Sequence, residues 1–164
     1  MKWRRLFLWA VVATVAGWGW VALHPSPERL IRKQLAGVAH AVSFGPGQGN
    51  LAKLANAERL AGYFSTNVDV QIDVPSRQEH RLVGRDEVQQ AALGARASMH
   101  ALDVTFPDVA VIVNADQESA VADLTLEAQS EGEMDRFVQE MKVTLRKIDG
   151  QWLIVKVETV RTLS

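Results

Sequence analysis

Asp73 and His80 are the two residues whose types and spacing point to acid–base chemistry, for they flank the connection of a predicted hairpin. An imidazole oriented by a carboxylate has its tautomer set and can act as a general base. The plainer reading comes from the alternation in "VDVQIDVP". Val68, Val70, Ile72 and Val74 make one face of a strand, and Asp69, Gln71 and Asp73 make the other, so Asp73 faces solvent unless a bulge intervenes. Polar residues beside a turn are ordinarily wet. The remaining histidines offer less: His24 adjoins the apolar N-terminus, His40 lies in the first helix, and His100 ends the third, where the helix dipole favours an imidazolium. No two histidines stand three to five residues apart, so neither a metal nor any other cofactor is expected. With no cysteine there are no disulfides, thiolate ligands or cysteine nucleophiles. A G-x-S-x-G nucleophile elbow is also missing. Tyr63, Phe64, Met99, Met141 and Trp152 are candidate linings of an apolar pocket, although their spacings equally suit a core. Lys142, Arg146, Lys156 and Glu158 can pair across the last two strands or rim a pocket that accepts an anion.

The elements that must position these residues follow from periodicity and punctuation. Ser26 can cap a helix with Pro27 at its first position, and apolar residues from Leu30 to Val42 recur near helical spacing. "SFGPGQGN" breaks that helix; without a following Lys-Ser/Thr or a preceding strand it reads as a plain turn rather than a phosphate cradle. Asn50 can cap a second helix over Leu51 to Ala61, ended by Gly62. A strand over Val68–Pro75 and a short partner over Glu79–Val83 lead to Gly84. There Asp86-Glu87-Val88-Gln89 fits a capping box, and Val88, Ala91, Ala92, Ala95 and Met99 line the face of a third helix. Four long strands complete the chain, over 102–113, 120–130, 134–147 and 151–163, joined by "NADQES", "EGE" and "IDG". Such short connections predict an antiparallel meander and an α+β domain. In the last strand Trp152 and Ile154 point one way and Leu153, Val155 and Val157 the other, so two apolar faces need covering.

The first 24 residues are read separately. Leu6 to Leu23 carries no charge over 18 residues. As a helix it would reach roughly 27 Å, close to the ~30 Å hydrocarbon core of a bilayer. Lys2, Arg4 and Arg5 precede it without an acid, which favours an N-terminus on the cytoplasmic side and a domain on the periplasmic or extracellular side of the inner membrane. Trp3, and Trp18 with Trp20, suit the two interfacial belts. The competing reading is a signal peptide cleaved near Thr14-Val15-Ala16. The expected division is a single-pass anchor over 1–24 and one domain over 25–164. With those three cations set aside, 15 basic residues stand against 19 acidic ones, a balance of −4 that does not support nucleic-acid binding.

"YFSTNVDVQID", "LVGRDEVQQ" and "IDGQWLIVKVE", in that order and spacing, resemble the nuclear transport factor 2-like superfamily, which includes the SnoaL-like proteins. The resemblance spans about residues 28–160. It implies a curved antiparallel sheet wrapped as a cone around three N-terminal helices, with a pocket between them and an outer sheet face that meets a second copy. A homodimer through the sheet face is therefore expected. The steroid isomerases of this superfamily place a general-base aspartate near the position of Asp73. They resemble one another also in a first-helix tyrosine, for which this chain has no counterpart, since its only tyrosine is Tyr63. Two functions stay open. One is a membrane-anchored, non-catalytic binding or assembly module with an envelope protein as partner, a layout similar to some inner-membrane components of secretion systems. The other is a SnoaL-like isomerase, dehydratase or hydrolase acting on a small apolar molecule.

Overall fold

Ser26 and Pro27 act as their chemistry predicts. In the computed structural model, which describes residues 25–72, 80–132 and 136–160, helix α1 runs Pro27–Val42 and the Arg29 N–H donates to Ser26 Oγ at 3.4 Å. The proline takes the position where a missing N–H costs nothing. Ile31, Leu35, Val38 and Ala41 are buried along the face of α1 turned to the sheet. Helix α2, Asn50–Ala61, starts at Asn50 itself, with Gly49 in the cap position and no side-chain cap; the asparagine is inside the helix, not its cap. Gly62 ends it as expected.

Strand β1, Phe64–Ile72, begins four residues before its alternating stretch and pairs antiparallel with β2, His80–Val83. Gly84, at φ +95°, adopts backbone that glycine reaches without strain, and α3, Arg85–Ser98, starts immediately after it. That early start places Asp86 inside the first turn, so the capping box does not form. Instead the Glu87 carboxylate reaches back and accepts from the Val83 N–H at 2.7 Å.

The predicted strand over 102–113 is two strands, β3 (Leu102–Thr105) and β4 (Val109–Val113), separated by Phe106-Pro107-Asp108. A proline lacks the N–H a ladder requires, so the chain steps off and resumes. Both pieces pair antiparallel with β5, Ser119–Ser130, which is followed by β6, Phe137–Ile148, and β7, Gln151–Thr159. The order across the sheet is β2-β1-β7-β6-β5-β3, with β4 also beside β5. β1 and β7 run parallel, so the sheet is mixed rather than wholly antiparallel. Long connections permit this, whereas the short β5–β6 and β6–β7 turns enforce antiparallel neighbours. The fold is α+β, a curved sheet with helices against one face.

The last strand does not have two apolar faces. Leu145 pairs with Ile154 but Thr144 pairs with Lys156, so Val155 is an extra residue and the side-chain parity of β7 reverses there. Trp152, Ile154 and Val157 are all buried on the inner side. On the outer side Lys142 lies between Asp123 and Glu158, and Lys156 between Thr144 and Asp69. The same face carries apolar residues as well, with Ile112 beside Val121 at one edge and Val83 beside Asp69 at the other. Among the described residues no helix is long and apolar enough to cross a membrane; the 6–23 segment lies outside them.

Candidate functional site

Buried side chains of the described residues pack between α1 and the sheet. Ile31 and Leu35 of α1 join Val68, Leu145 and Ile154 of the sheet in one core, and they are the largest fully buried side chains among the described residues. Phe64 and Met141, expected in a pocket lining, belong to this core.

At the N-terminal end of α1 a cleft of about 560 Å³ runs between Leu30, Lys33 and Gln34 of that helix, Tyr63 after α2, and Trp152 at the start of β7. Two of the five predicted lining residues, Tyr63 and Trp152, meet here. Gly37 makes room for the tyrosine: a Cβ at that position would stand 2.5 Å from the phenolic oxygen and 3.0 Å from Cζ.

At the C-terminal end a cleft of about 620 Å³ opens between the end of α1, the glycine-rich loop, β3 and the end of β5. Phe44 and Leu102 form its floor and exchange two backbone hydrogen bonds, at 2.8 and 2.9 Å. His40, Gln48, Asp103, Gln129 and Glu131 form a polar rim. Ser43 is not a nucleophile here, because its hydroxyl donates to the Ala39 carbonyl at 2.8 Å and accepts from the Val104 N–H at 2.9 Å. Those bonds hold the loop to α1 and β3.

Behind Phe44 a hollow of about 200 Å³ shares Phe44, Gly45 and Gln48 with this cleft and is lined also by Lys53, Arg96, Met99 and His100. Met99 thus sits away from the other predicted lining residues. Arg96 was not among the candidates. It is 2% exposed, donates to the carbonyls of Ala92 at 3.1 Å and of Ala41, and lies with its guanidinium carbon 5.2 Å from the Phe44 ring centroid. Desolvation lowers its pKa from the usual arginine value. The signal for it is in the spacing: 88, 92 and 96 are successive i+4 positions on the buried stripe of α3.

Asp73 lies outside the described residues, as does the His80 side chain; the backbone of His80 pairs with Ile72. Met99 lines the hollow behind Phe44 and not the Tyr63–Trp152 cleft. Among the described residues no group of three His, Asp or Glu side chains could hold a metal ion, and no histidine is hydrogen-bonded to a carboxylate. Lys156 makes its ion pair with Glu158 of its own strand rather than across the sheet.

No family profile matches the chain, and no curated protein does. Solved structures do. One is a protein from Novosphingobium aromaticivorans provisionally named scytalone dehydratase, 16% identical, covering 83% of this chain and 84% of its own, with a TM-score of 0.61. A second is an NTF2-like protein of unknown function from Pseudomonas putida, 10% identical over 82% of this chain and 85% of that one, at 0.62. A third, from Nostoc punctiforme, is of unknown function with a cystatin-like fold, 14% identical over 83% and 92% at 0.61. At these identities the likeness establishes an NTF2-like, cystatin-like fold.

Proposed function

We propose that this chain is a membrane-tethered binding module that receives a small molecule in the cleft between the glycine-rich loop, β3 and the end of β5. The observation that carries the reading is an open cleft of about 620 Å³ with an apolar floor and a polar rim, set apart from the buried core of Leu35, Val68, Leu145 and Ile154. A concave site of that size with a few convergent polar groups is what small-molecule recognition uses. The tether is the uncharged segment from Leu6 to Leu23, which ends three residues before the Ser26 cap of α1. The bilayer would lie at the N-terminal end of α1, and the cleft at the other end of a helix of 16 residues. That is about 24 Å along the helix axis. A second copy would meet the charged outer sheet face, so pairing would weaken as salt rises.

Native mass spectrometry of the full chain in mild detergent tests the reading. A small molecule retained by the wild type and lost from Ala101→Trp, which fills the cleft, supports it; an empty wild type overturns it. Alkaline extraction of membranes tests the tether, since release of the chain into the supernatant sinks it.

A dehydratase or isomerase activity is the second reading. Its specific support is the β1–β2 register, which pairs the backbone of His80 with Ile72, the neighbour of Asp73. Loss of turnover in both Asp73→Asn and His80→Gln, with folding retained, is the result it requires.

A further inference from the structure

The hollow behind Phe44 is lined by a buried cation with no counter-charge among the described residues. Arg96 is 2% exposed, and its guanidinium uses two nitrogens on the backbone carbonyls of Ala92 and Ala41 while Nε–H has no partner. None of the three ion pairs among the described residues includes it. A buried guanidinium in that state is costly, and natural proteins keep one where an anion compensates it. Gln48, which also lines the hollow, carries a second orphan, a buried Oε1 with nothing donating to it; neither it nor Arg96 Nε presents surface to the hollow as the side chains stand, so an occupant reaches them when the Gln48 side chain turns. Lys53 and His100 also line the hollow, and among the described residues no aspartate or glutamate does, in a chain where acids outnumber Lys and Arg by 19 to 18.

We propose that this hollow is an anion site for a small oxyanion that also carries a hydroxyl. The charged oxygens would take the Arg96 Nε–H and the Lys53 ammonium, and the ligand hydroxyl would donate to Gln48 Oε1. Charge-assisted bonds of this kind are the strong ones, and a guanidinium presents its donors as a planar fork suited to carboxylate and phosphate. A volume of about 200 Å³ is below the usual range for drug-sized ligands, which limits the occupant to a small ion such as a 2-hydroxycarboxylate or hydrogen phosphate. The two share the required chemistry of negative charge plus O–H. The site deepens the cleft reading through the shared Phe44, Gly45 and Gln48, but its charged half does not depend on it.

The test is titration of the full chain in detergent with glycolate, with inorganic phosphate, with acetate as the hydroxyl-free control, and with chloride at matched ionic strength. Thermal midpoint and the Arg96 Nε–Hε resonance are followed together. Saturable stabilisation and a moved resonance with glycolate or phosphate are expected, and whichever of the two binds tighter identifies the source; acetate should bind about tenfold more weakly. Lys53→Ala, which need not disturb the fold, should weaken binding about threefold to tenfold, and Arg96→Met should abolish it. Equal stabilisation by chloride, no response up to tens of millimolar, or unchanged affinity in Lys53→Ala and Gln48→Leu overturns the proposal, leaving a water between the two orphans. Ala101→Trp closes the cleft and leaves the hollow open. Anion binding retained by that variant, with no passenger in the wild type, would sink the cleft reading alone.

Discussion

Arg81 grips the Asp69 carboxylate with two parallel hydrogen bonds, Nε to Oδ1 and Nη2 to Oδ2, each 2.9 Å long, across the β1–β2 hairpin. The residues are diagonal neighbours, since Asp69 pairs with Val83 and Gln71 with Arg81. The Arg81 hydrogen bonds, reinforced by its charge and by Gln71, hold the Asp69 carboxyl below its ordinary 3.8, with partial desolvation opposing. A depressed folded pKa contributes stability that is present above pH 3.8 and is lost as pH falls through the folded value. Asp69→Asn is therefore expected to flatten the acid limb of the stability curve below pH 4, and at pH 7 to speed amide exchange at Leu82 and Val83. Identical exchange in variant and wild type would show that the fork does not hold the hairpin that carries His80.

Asp116 sets the β4–β5 turn by a related device. Its Oδ1 accepts from the N–H groups of Glu118 and Ser119, both at 3.0 Å, and Oδ2 accepts from the Ser119 hydroxyl at 2.7 Å, while Gln117 sits at φ +57°. The Glu118 amide is the main cause that lowers the Asp116 pKa, followed by the Ser119 hydroxyl. Asn keeps an acceptor for the backbone and Ala does not, so the thermal midpoint at pH 7 should fall further in Asp116→Ala than in Asp116→Asn. The advantage of wild type over Asp116→Asn should shrink as pH drops below 3.8, by the same sign as for Asp69.

Leu35 and Leu51 separate core from surface. Leu35 is 1% exposed between helix and sheet and Leu51 is 85% exposed on α2. Leu35→Ala should cost about 2–5 kcal/mol in urea unfolding, because it removes apolar contact and leaves a cavity, whereas Leu51→Ala should stay within about 0.5 kcal/mol. A small loss at Leu35 would mean that the cone interior is looser than its packing implies.

What could be read from the sequence was set by local rules. Ser26-Pro27 placed the start of α1, alternation placed Val68 and Val70 inward, and "IDG" placed the β6–β7 turn, where Gly150 adopts φ +79°. What escaped depends on partners distant in the chain. The parallel pairing of β1 with β7 leaves no mark on either strand, and a β-bulge is a relation between two strands rather than a property of one. Strict alternation puts Val157 on the face of Leu153, and a single extra residue, Val155, turns it to the side of Trp152 and Ile154. Arg96 escaped because its charge outweighed its position on the α3 stripe.

That bulge makes its own prediction. Strict alternation would give Val155 and Val157 the same environment, whereas Val157 is 8% exposed and Val155 is half-buried. Val157→Asp should cost about 3 kcal/mol or more, since it leaves a carboxylate unpaired in the core, and Val155→Asp clearly less. Equal losses in chemical denaturation would restore the two-faced strand.

Gly37 and Tyr63 give a test in which the sign changes. Alanine is the better helix former by about 1 kcal/mol, so Gly37→Ala in the middle of α1 would ordinarily stabilise. Here its Cβ would meet the Tyr63 ring, 2.5 Å from the oxygen and 3.0 Å from Cζ, and the ring, which lines the cleft with Trp152, must shift. Gly37→Ala should therefore destabilise the wild type. In a Tyr63→Ala background the obstruction is gone, and the same substitution should stabilise by about 0.5–1 kcal/mol. A double-mutant cycle on the thermal midpoint measures both. A stabilising effect in both backgrounds would mean that the tyrosine does not lie across α1, and that the cleft at this end is wider than the structure shows.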